Sequence, residues 1–308
     1  MRNTTFTRRH LLSAAAALPL VLAATTPARA AAPMLGAAAT RFNRVTLGEF
    51  EVTTLLAATM PRPEPHTIFG LNASAEEFEE VSAANNLPTD QAQFFFTPTV
   101  VNTGSELVLF DTGLSPDAIT SALTAAGYTP DQVDIVVITH MHGDHIGGLM
   151  GESGTATFPN ARYVTSSTEY DYWAAAGNEG FDGKMRPLAE QTEMIGDGAS
   201  ITSGITAMAA HGHTPGHTTY MLDSGGKSLV IAADFANHYV WSLGYPDWEV
   251  KFDMDKAAAA ATRRKMLDML AADKMPFIGY HMPFPAIGYV ETRGEGFSYV
   301  PSSYQLML

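Results

Sequence analysis

Two packed β-sheets with helices on their outer faces, an α/β arrangement in one domain, is the architecture this sequence predicts. Short apolar runs of strand length recur along the chain, helix patterns are few and interspersed among them, and no internal repeat or linker marks off a second domain. Apolar residues make up 46% of the 308 residues, ordinary for a globular chain and too many for a disordered one. Lys plus Arg is 18 against 32 Asp plus Glu, a formal charge of −14, and no basic stretch is visible, which argues against nucleic acid as a partner. Cys is absent, which excludes disulfides, thiolate nucleophiles and Cys-ligated metals.

Residues 1–30 read as an export signal. Thr7-Arg8-Arg9-His10-Leu11-Leu12-Ser13 puts a twin arginine ahead of a weakly apolar run from Leu11 to Ala24, and Ala28-Arg29-Ala30 offers small residues for cleavage. Thr25, Thr26 and Pro27 end that run short of the roughly 20 apolar residues that a membrane anchor needs. The expected destination is the periplasm or the exterior, reached in the folded state by the twin-arginine route, with no stable membrane anchor. Residues 31–43 are expected to be a loose leader and residues 44–308 a single domain.

Within that domain, Val45–Leu47 and Phe50–Leu56 read as strands joined at Gly48. Residues 61–90, with Pro61, Pro63, Pro65 and the acidic run Glu76–Glu80, read as a long loop carrying one helical turn. Phe94–Val101 and Leu107–Asp111 form a hairpin pattern around Asn102-Thr103-Gly104-Ser105. Ser115–Ala126 is a helix candidate with Pro116 near its first position, and Val133–Thr139 a buried strand. Arg162–Thr165, Ile205–Ala210, Thr218–Leu222, Ser228–Ala232 and Pro276–Tyr280 are further strands, and Asp255–Ala272 is a helix.

The buried strand leads into Thr139-His140-Met141-His142-Gly143-Asp144-His145, three His and one Asp within six residues. In extended chain, positions i and i+2 point the same way, so His140 and His142 can converge on one cation, while Asp144 and His145 follow at a turn. Imidazole nitrogen and carboxylate oxygen suit Zn, Mn, Fe or Co. Four such groups at the end of a buried strand are hard to explain as packing, because burying them unpaired is costly.

This segment resembles the H-x-H-x-D-H motif of the metallo-β-lactamase fold hydrolases. Asp111-Thr112-Gly113, Gly212-His213-Thr214-Pro215-Gly216-His217, Asp234 after Leu229–Ala233, and His281 after Phe277-Ile278-Gly279-Tyr280 match further family motifs in family order. The resemblance implies an αββα sandwich with two divalent metal ions, zinc above all, with Mn, Fe or Co as alternatives. It implies that His140, His142 and His213 hold one ion, that Asp144, His145 and His281 hold the other, and that Asp234 bridges them. Asp144 and Asp234 are then the catalytic carboxylates, and a bridging hydroxide is the nucleophile. His217 reads as an orienting partner of a ligand. His211, two residues before His213, would face the same way on a strand.

Within that family the chain is most similar to the methyl parathion hydrolase branch, with its lactonase and arylesterase relatives. The likeness covers most of residues 44–304 and includes Leu47-Gly48-Glu49-Phe50-Glu51-Val52, Ala125-Ala126-Gly127-Tyr128-Thr129-Pro130 and Phe284-Pro285-Ala286-Ile287-Gly288. It implies hydrolysis of a small-molecule lactone, aryl ester or phosphotriester, and a homodimer is compatible with it. Trp173 and Phe181 match two aromatic residues of the branch's substrate pocket. The segment that supplies a third aromatic is missing, since Leu114-Ser115-Pro116 runs straight into the helix, and that favours a lactone or aryl ester over a phosphotriester. The alternatives are a β-lactamase proper, a redox enzyme such as a dioxygenase of the same fold, and a non-catalytic metal-binding protein. The full set of seven ligands argues against the first and the last.

Overall fold

The computed structural model describes residues 36–304 together with Met34, Leu306 and Leu308. The export segment read at 1–30 lies outside the described residues. The chain divides into two compact units, Met1–Ala38 and Ala39–Leu308, and every strand and helix named here belongs to the second.

β1 (Phe42–Leu47) and β2 (Phe50–Leu55) form the expected hairpin, with β1 starting two residues before the boundary expected at 44. β3 (Ala58–Pro63) and β4 (Gln91–Phe96) pair as a separate two-stranded ribbon, with α1 (Ala75–Ala84) between them in sequence. The loop expected over 61–90 is therefore wrong at its start, where β3 runs to Pro63, and in its middle, where α1 is a helix of 10 residues and not a single turn. Pro61 and Pro63 are tolerated because β3 pairs on one side only. The acidic run folds as a helix because Ser74 caps it, accepting from Glu77 N at 3.1 Å, and because Phe78, Val81 and Ser82 bury one face.

β5 (Thr99–Asn102) and β6 (Leu107–Phe110) make the next hairpin, and Pro98 separates β5 from β4, splitting the single strand expected over Phe94–Val101. α2 (Pro116–Ala126) starts at the Ser115 cap as expected. β7 (Ile135–Ile138), the single-turn α3 (Gly143–Ile146), β8 (Arg162–Ser166), α4 (Ser167–Ala176), α5 (Glu179–Lys184) and β9 (Thr192–Ile195) complete the first half. The second half holds β10 (Ser200–Thr202), β11 (Ile205–Ala209), β12 (Thr218–Ser224), β13 (Lys227–Ala233), α6 (Lys256–Asp273), β14 (Phe277–Gly279), β15 (Ile287–Arg293) and β16 (Gly296–Pro301).

The strands form two seven-stranded sheets, ordered β1-β2-β5-β6-β7-β8-β9 and β10-β11-β12-β13-β14-β15-β16. Alternation along each strand sorts the core. Val108 and Phe110 of β6 and Ile135 and Val137 of β7 join Tyr220, Leu222, Leu229 and Ile231 between the sheets. Leu107, Leu109, Val136 and Ile138 point the other way, onto Ile119, Ala122 and Leu123 of α2. On the far sheet, α6 buries Met266, Leu267 and Leu270. The layers are helix, sheet, sheet, helix, the arrangement the family resemblance implied. Among the described residues no helix is long and apolar enough to cross a membrane.

Candidate metal centre

β7, β13 and β14 deliver their C-terminal ends to one edge of the sandwich. His140 and His142 leave β7, Asp234 directly follows β13, and His281 follows β14, which runs parallel to β13. The backbone is strained on both sides of this edge, since Asp111 and Ala233 hold φ of 60° and 48° without being glycine. His213 arrives on the loop between β11 and β12, which lies against the start of α6. Gly212, at φ 126°, touches that helix so closely that an added Cβ would sit 2.2 Å from the Ala259 nitrogen. Gly212→Ala is therefore expected to destabilise the protein by about 1–3 kcal/mol, the range for overpacking, and a denaturant midpoint equal to wild type would refute this.

The seven side chains assigned from the sequence lie together. His140, His142 and His213 form one group, Asp144, His145 and His281 a second, and His140, His145 and Asp234 a third, with the ligand atoms of each within 4.8 Å of one another. His142 Nδ1 lies 3.1 Å from His140 Nε2 and 3.0 Å from His213 Nε2. Asp234 Oδ2 lies 3.1 Å from His281 Nε2 and 3.5 Å from His213 Nε2, and its Oδ1 is 3.4 Å from His145 Nε2.

What the histidines do with their other nitrogen fixes which one faces inward. His145 Nδ1 donates to Asp111 Oδ2 at 2.8 Å, His213 Nδ1 to Asp253 Oδ1 at 2.9 Å and His281 Nδ1 to the Phe95 carbonyl at 2.8 Å. Because these partners only accept, each Nε2 keeps its lone pair for the interior of the site. His145 Nε2 and Asp234 Oδ1 are buried with no hydrogen-bond partner among the described residues, an arrangement that a cation between them explains. These residues therefore fit a pair of divalent ions.

Charge tells the same story. Burial, with the neighbouring histidines, holds His140 well below the ordinary imidazole range, and burial and His213 bring His142 down to about 3. Both are neutral, as ligands must be. Burial also opposes a charge on His145, yet Asp234, Asp111 and Asp144 outweigh it and raise His145 well above the ordinary value. At His281, burial is likewise outweighed, chiefly by Asp234, and the pKa rises to about 10. The carboxylate side of the site thus demands positive charge, which a proton or a metal ion can supply.

A profile of the metallo-beta-lactamase superfamily matches residues 97–278, more than half of the chain. The chain belongs to the metallo-beta-lactamase superfamily. An N-acyl homoserine lactonase of Bacillus thuringiensis is 27% identical over 122 residues, which cover 39% of this chain and 46% of the lactonase. The chain thus matches less than half the length of that curated relative. AidC, a dizinc quorum-quenching lactonase solved in complex with a product, superposes with a TM-score of 0.80 at 25% identity over 86% of this chain and 98% of AidC. AbOPH, a hydrolase of the beta lactamase superfamily, has a TM-score of 0.80 at 25% identity over 87% of this chain and all (100%) of its own.

Against this superfamily background the remaining motif residues find their places. Asp111 accepts from Thr139 N at 2.9 Å as well as from His145, and Thr112 Oγ1 donates to the His145 carbonyl at 2.8 Å. His217 Nδ1 donates to the Ala210 carbonyl, while its Nε2 accepts from Asp234 N at 3.0 Å, so it fixes the backbone that carries Asp234. His211 lies beyond β11 in an exposed turn and does not join the ligand groups. His66 stacks on Phe78, and His238, buried against Trp241, accepts from two backbone N–H groups.

A cavity of about 340 Å³ opens onto His142, Asp144, Asp234 and His281. Its other walls are Phe94, Phe96, Phe252, Leu114 and Arg62. Neither Trp173 nor Phe181 lines it, which corrects the expectation for both. Phe181 is fully buried against Tyr170 because α5 packs on α4. Trp173 turns its indole N–H to Glu169 Oε1 at 2.6 Å and presents its ring edge-on to His142 at 5.9 Å. The aromatic walls come instead from β4 and the loop before α6, so the missing segment after Gly113 leaves the cavity aromatic. Asp253, Glu169 and Arg62 carried no sequence signal, because each acts on residues far away in the chain.

Proposed function

We propose that this chain is a metal-dependent hydrolase of lactones working with two divalent ions, zinc first among them. The observation that carries the reading is the meeting of three ligand groups at one buried carboxylate, Asp234, beside an aromatic cavity. The names of its relatives supply the substrate class, N-acyl homoserine lactones. In this reading His140, His142 and His213 hold one ion, Asp144, His145 and His281 the other, and Asp234 faces both. When bound, the two ions supply Lewis acidity and activate water at neutral pH.

The chain's own residues do the positioning. Phe94, Phe96 and Phe252 keep bulk water from the cavity and hold the apolar part of the ester. Hydrolysis adds the water oxygen to the acyl carbon, breaks the acyl C–O bond and moves a water proton to the leaving oxygen. Asp144 has 22% of its side chain exposed against 4% for Asp234, so Asp144 is the carboxylate placed to carry that proton. Tyr280 does not compete for the role, because its hydroxyl donates to the Asp144 carbonyl at 2.5 Å and braces that loop.

The three phenyl rings favour a second reading, an aryl ester or phosphotriester held by its aromatic leaving group. We expect kcat/KM for hexanoyl homoserine lactone, dihydrocoumarin and phenyl acetate to exceed that for methyl parathion on one zinc-loaded preparation. Methyl parathion ahead by more than about tenfold, the scale of about 1.4 kcal/mol in the barrier, would overturn the lactonase reading. We also infer that residues 1–30 direct twin-arginine export. Arg8→Lys/Arg9→Lys is then expected to leave precursor in the cytoplasmic fraction, and normal export of that variant would point to the general secretory route.

A further inference from the structure

Glu169 is a fully buried carboxylate that the chemistry above does not use. It lies in the first turn of α4. Four donors converge on it. Oε1 accepts from Met141 N at 2.9 Å and Trp173 Nε1 at 2.6 Å, and Oε2 accepts from Thr214 Oγ1 at 2.7 Å and Gly216 N at 2.8 Å. Met141 lies between His140 and His142, while Thr214 and Gly216 closely follow His213. One side chain therefore ties together the two loops that carry the three histidines. The contact is backbone-tight, since a Cβ on Gly216 would lie 2.2 Å from the Glu169 nitrogen.

Charge sharpens the point. His140, His142 and His213 offer only neutral nitrogens. Asp253, which orients His213, has its charge balanced by Arg263 at 2.7 Å. Among the described residues no cationic side chain pairs with Glu169 in the same way, and the four donors on it are uncharged. A buried carboxylate held only by neutral donors is costly unless positive charge sits nearby.

We propose that Glu169 is a positioning residue that sets the metal affinity of the three-histidine position selectively, by clamping both ligand loops and by leaving its negative charge uncancelled behind them. The inference rests on the two-ion reading above. It predicts no change at the Asp144, His145 and His281 position, where His145 is oriented by Asp111 and His281 by the Phe95 carbonyl and not by Glu169.

The test is zinc affinity, measured by chelator competition on the purified chain, with cobalt substitution to tell the positions apart. Glu169→Gln keeps the size, removes the charge and turns an N–H₂ toward two of the four donors. Its weaker zinc constant is expected to rise about 10–100-fold, the usual scale for losing a group that orients ligands, while the other stays within about twofold. The cobalt absorption that it loses should be the component also lost in His142→Ala. Two unchanged constants, or two that weaken equally, would overturn the proposal. If Glu169→Gln does not fold, Thr214→Val keeps the carboxylate but cuts its link to the His213 loop. It is expected to weaken the same position severalfold, and an unchanged constant there overturns the proposal too. Because the readout is metal affinity, a wild type that binds two ions but hydrolyses no lactone would refute the proposed activity and not this role.

Discussion

Asp234→Asn is expected to cost the protein most of its bound metal and to lower kcat/KM for a lactone by about 100-fold or more, beyond the loss typical of a residue that only orients ligands. The carboxylate is 4% exposed and faces three imidazoles. Oδ2 takes a hydrogen bond from Asn237 Nδ2 at 3.0 Å and still lies 3.1 Å from His281 Nε2, while Oδ1 has no hydrogen-bond partner among the described residues. An amide is neutral, keeps one acceptor oxygen and would turn an N–H₂ toward nitrogens whose lone pairs already point inward. In the proposed two-ion reading both positions therefore lose their common anion at once. Elemental analysis alongside steady-state kinetics makes the check. Unchanged metal content with an unchanged rate would show that Asp234 is not shared between two ions.

Arg263→Met is expected to destabilise the fold by about 3–5 kcal/mol, the cost of leaving a buried charge without its partner. Arg263 is fully buried on α6, with every nitrogen engaged. Nε donates to the Phe235 carbonyl at 2.9 Å, Nη1 to those of Pro246 and Trp248 at 2.8 and 3.2 Å, and Nη2 to Asp253 Oδ2 at 2.7 Å. The guanidinium thus gathers the whole segment from Asp234 to Asp253 onto the helix, and Asp253 passes the constraint on to His213. Removing it strands a buried carboxylate and three carbonyls. Arg263→Met/Asp253→Leu should recover most of the stability, since an apolar pair can replace a buried ion pair, but His213 would then lose its orienting acceptor. Urea denaturation of both variants tests this. A single-variant effect below about 1 kcal/mol would mean that the pair does not hold the segment.

Local signals and distant ones differ in what they reveal. Ser115, Pro116 and the apolar spacing of Ser115–Ala126 define a helix from neighbours within one or two turns, and α2 starts and stops as expected. His140, His142, Asp144 and His145 stand out because ligand chemistry is packed into six residues beside an apolar strand. By contrast, charge obscures the helix over Ala75–Ala84. Glu76, Glu77, Glu79 and Glu80 read as loop with one helical turn, and the burial of Phe78 and Val81 against the aromatic cluster around Trp241 and Trp248, together with the Ser74 cap, makes that segment a full helix.

The same division runs through the site. Which side chains offer lone pairs, and that they cluster at strand ends, follows from residue type and short-range spacing, so it is present in the order of amino acids. Which aromatic rings wall the cavity is not. The sequence points to Trp173 and Phe181, yet α4 and α5 turn them to Glu169 and the core, and Phe94, Phe96 and Phe252 take the position. Asp253 orients His213 from 40 residues away in the chain and is itself held by Arg263, and Glu169 reaches Thr214 and Gly216, beside His213, from 45 and 47 residues away. Periodicity and capping act within a few residues and can mark a ligand or a helix. The partner that orients a ligand is chosen only when sheets and helices pack, because burial is what makes an unpaired charge costly enough to demand one.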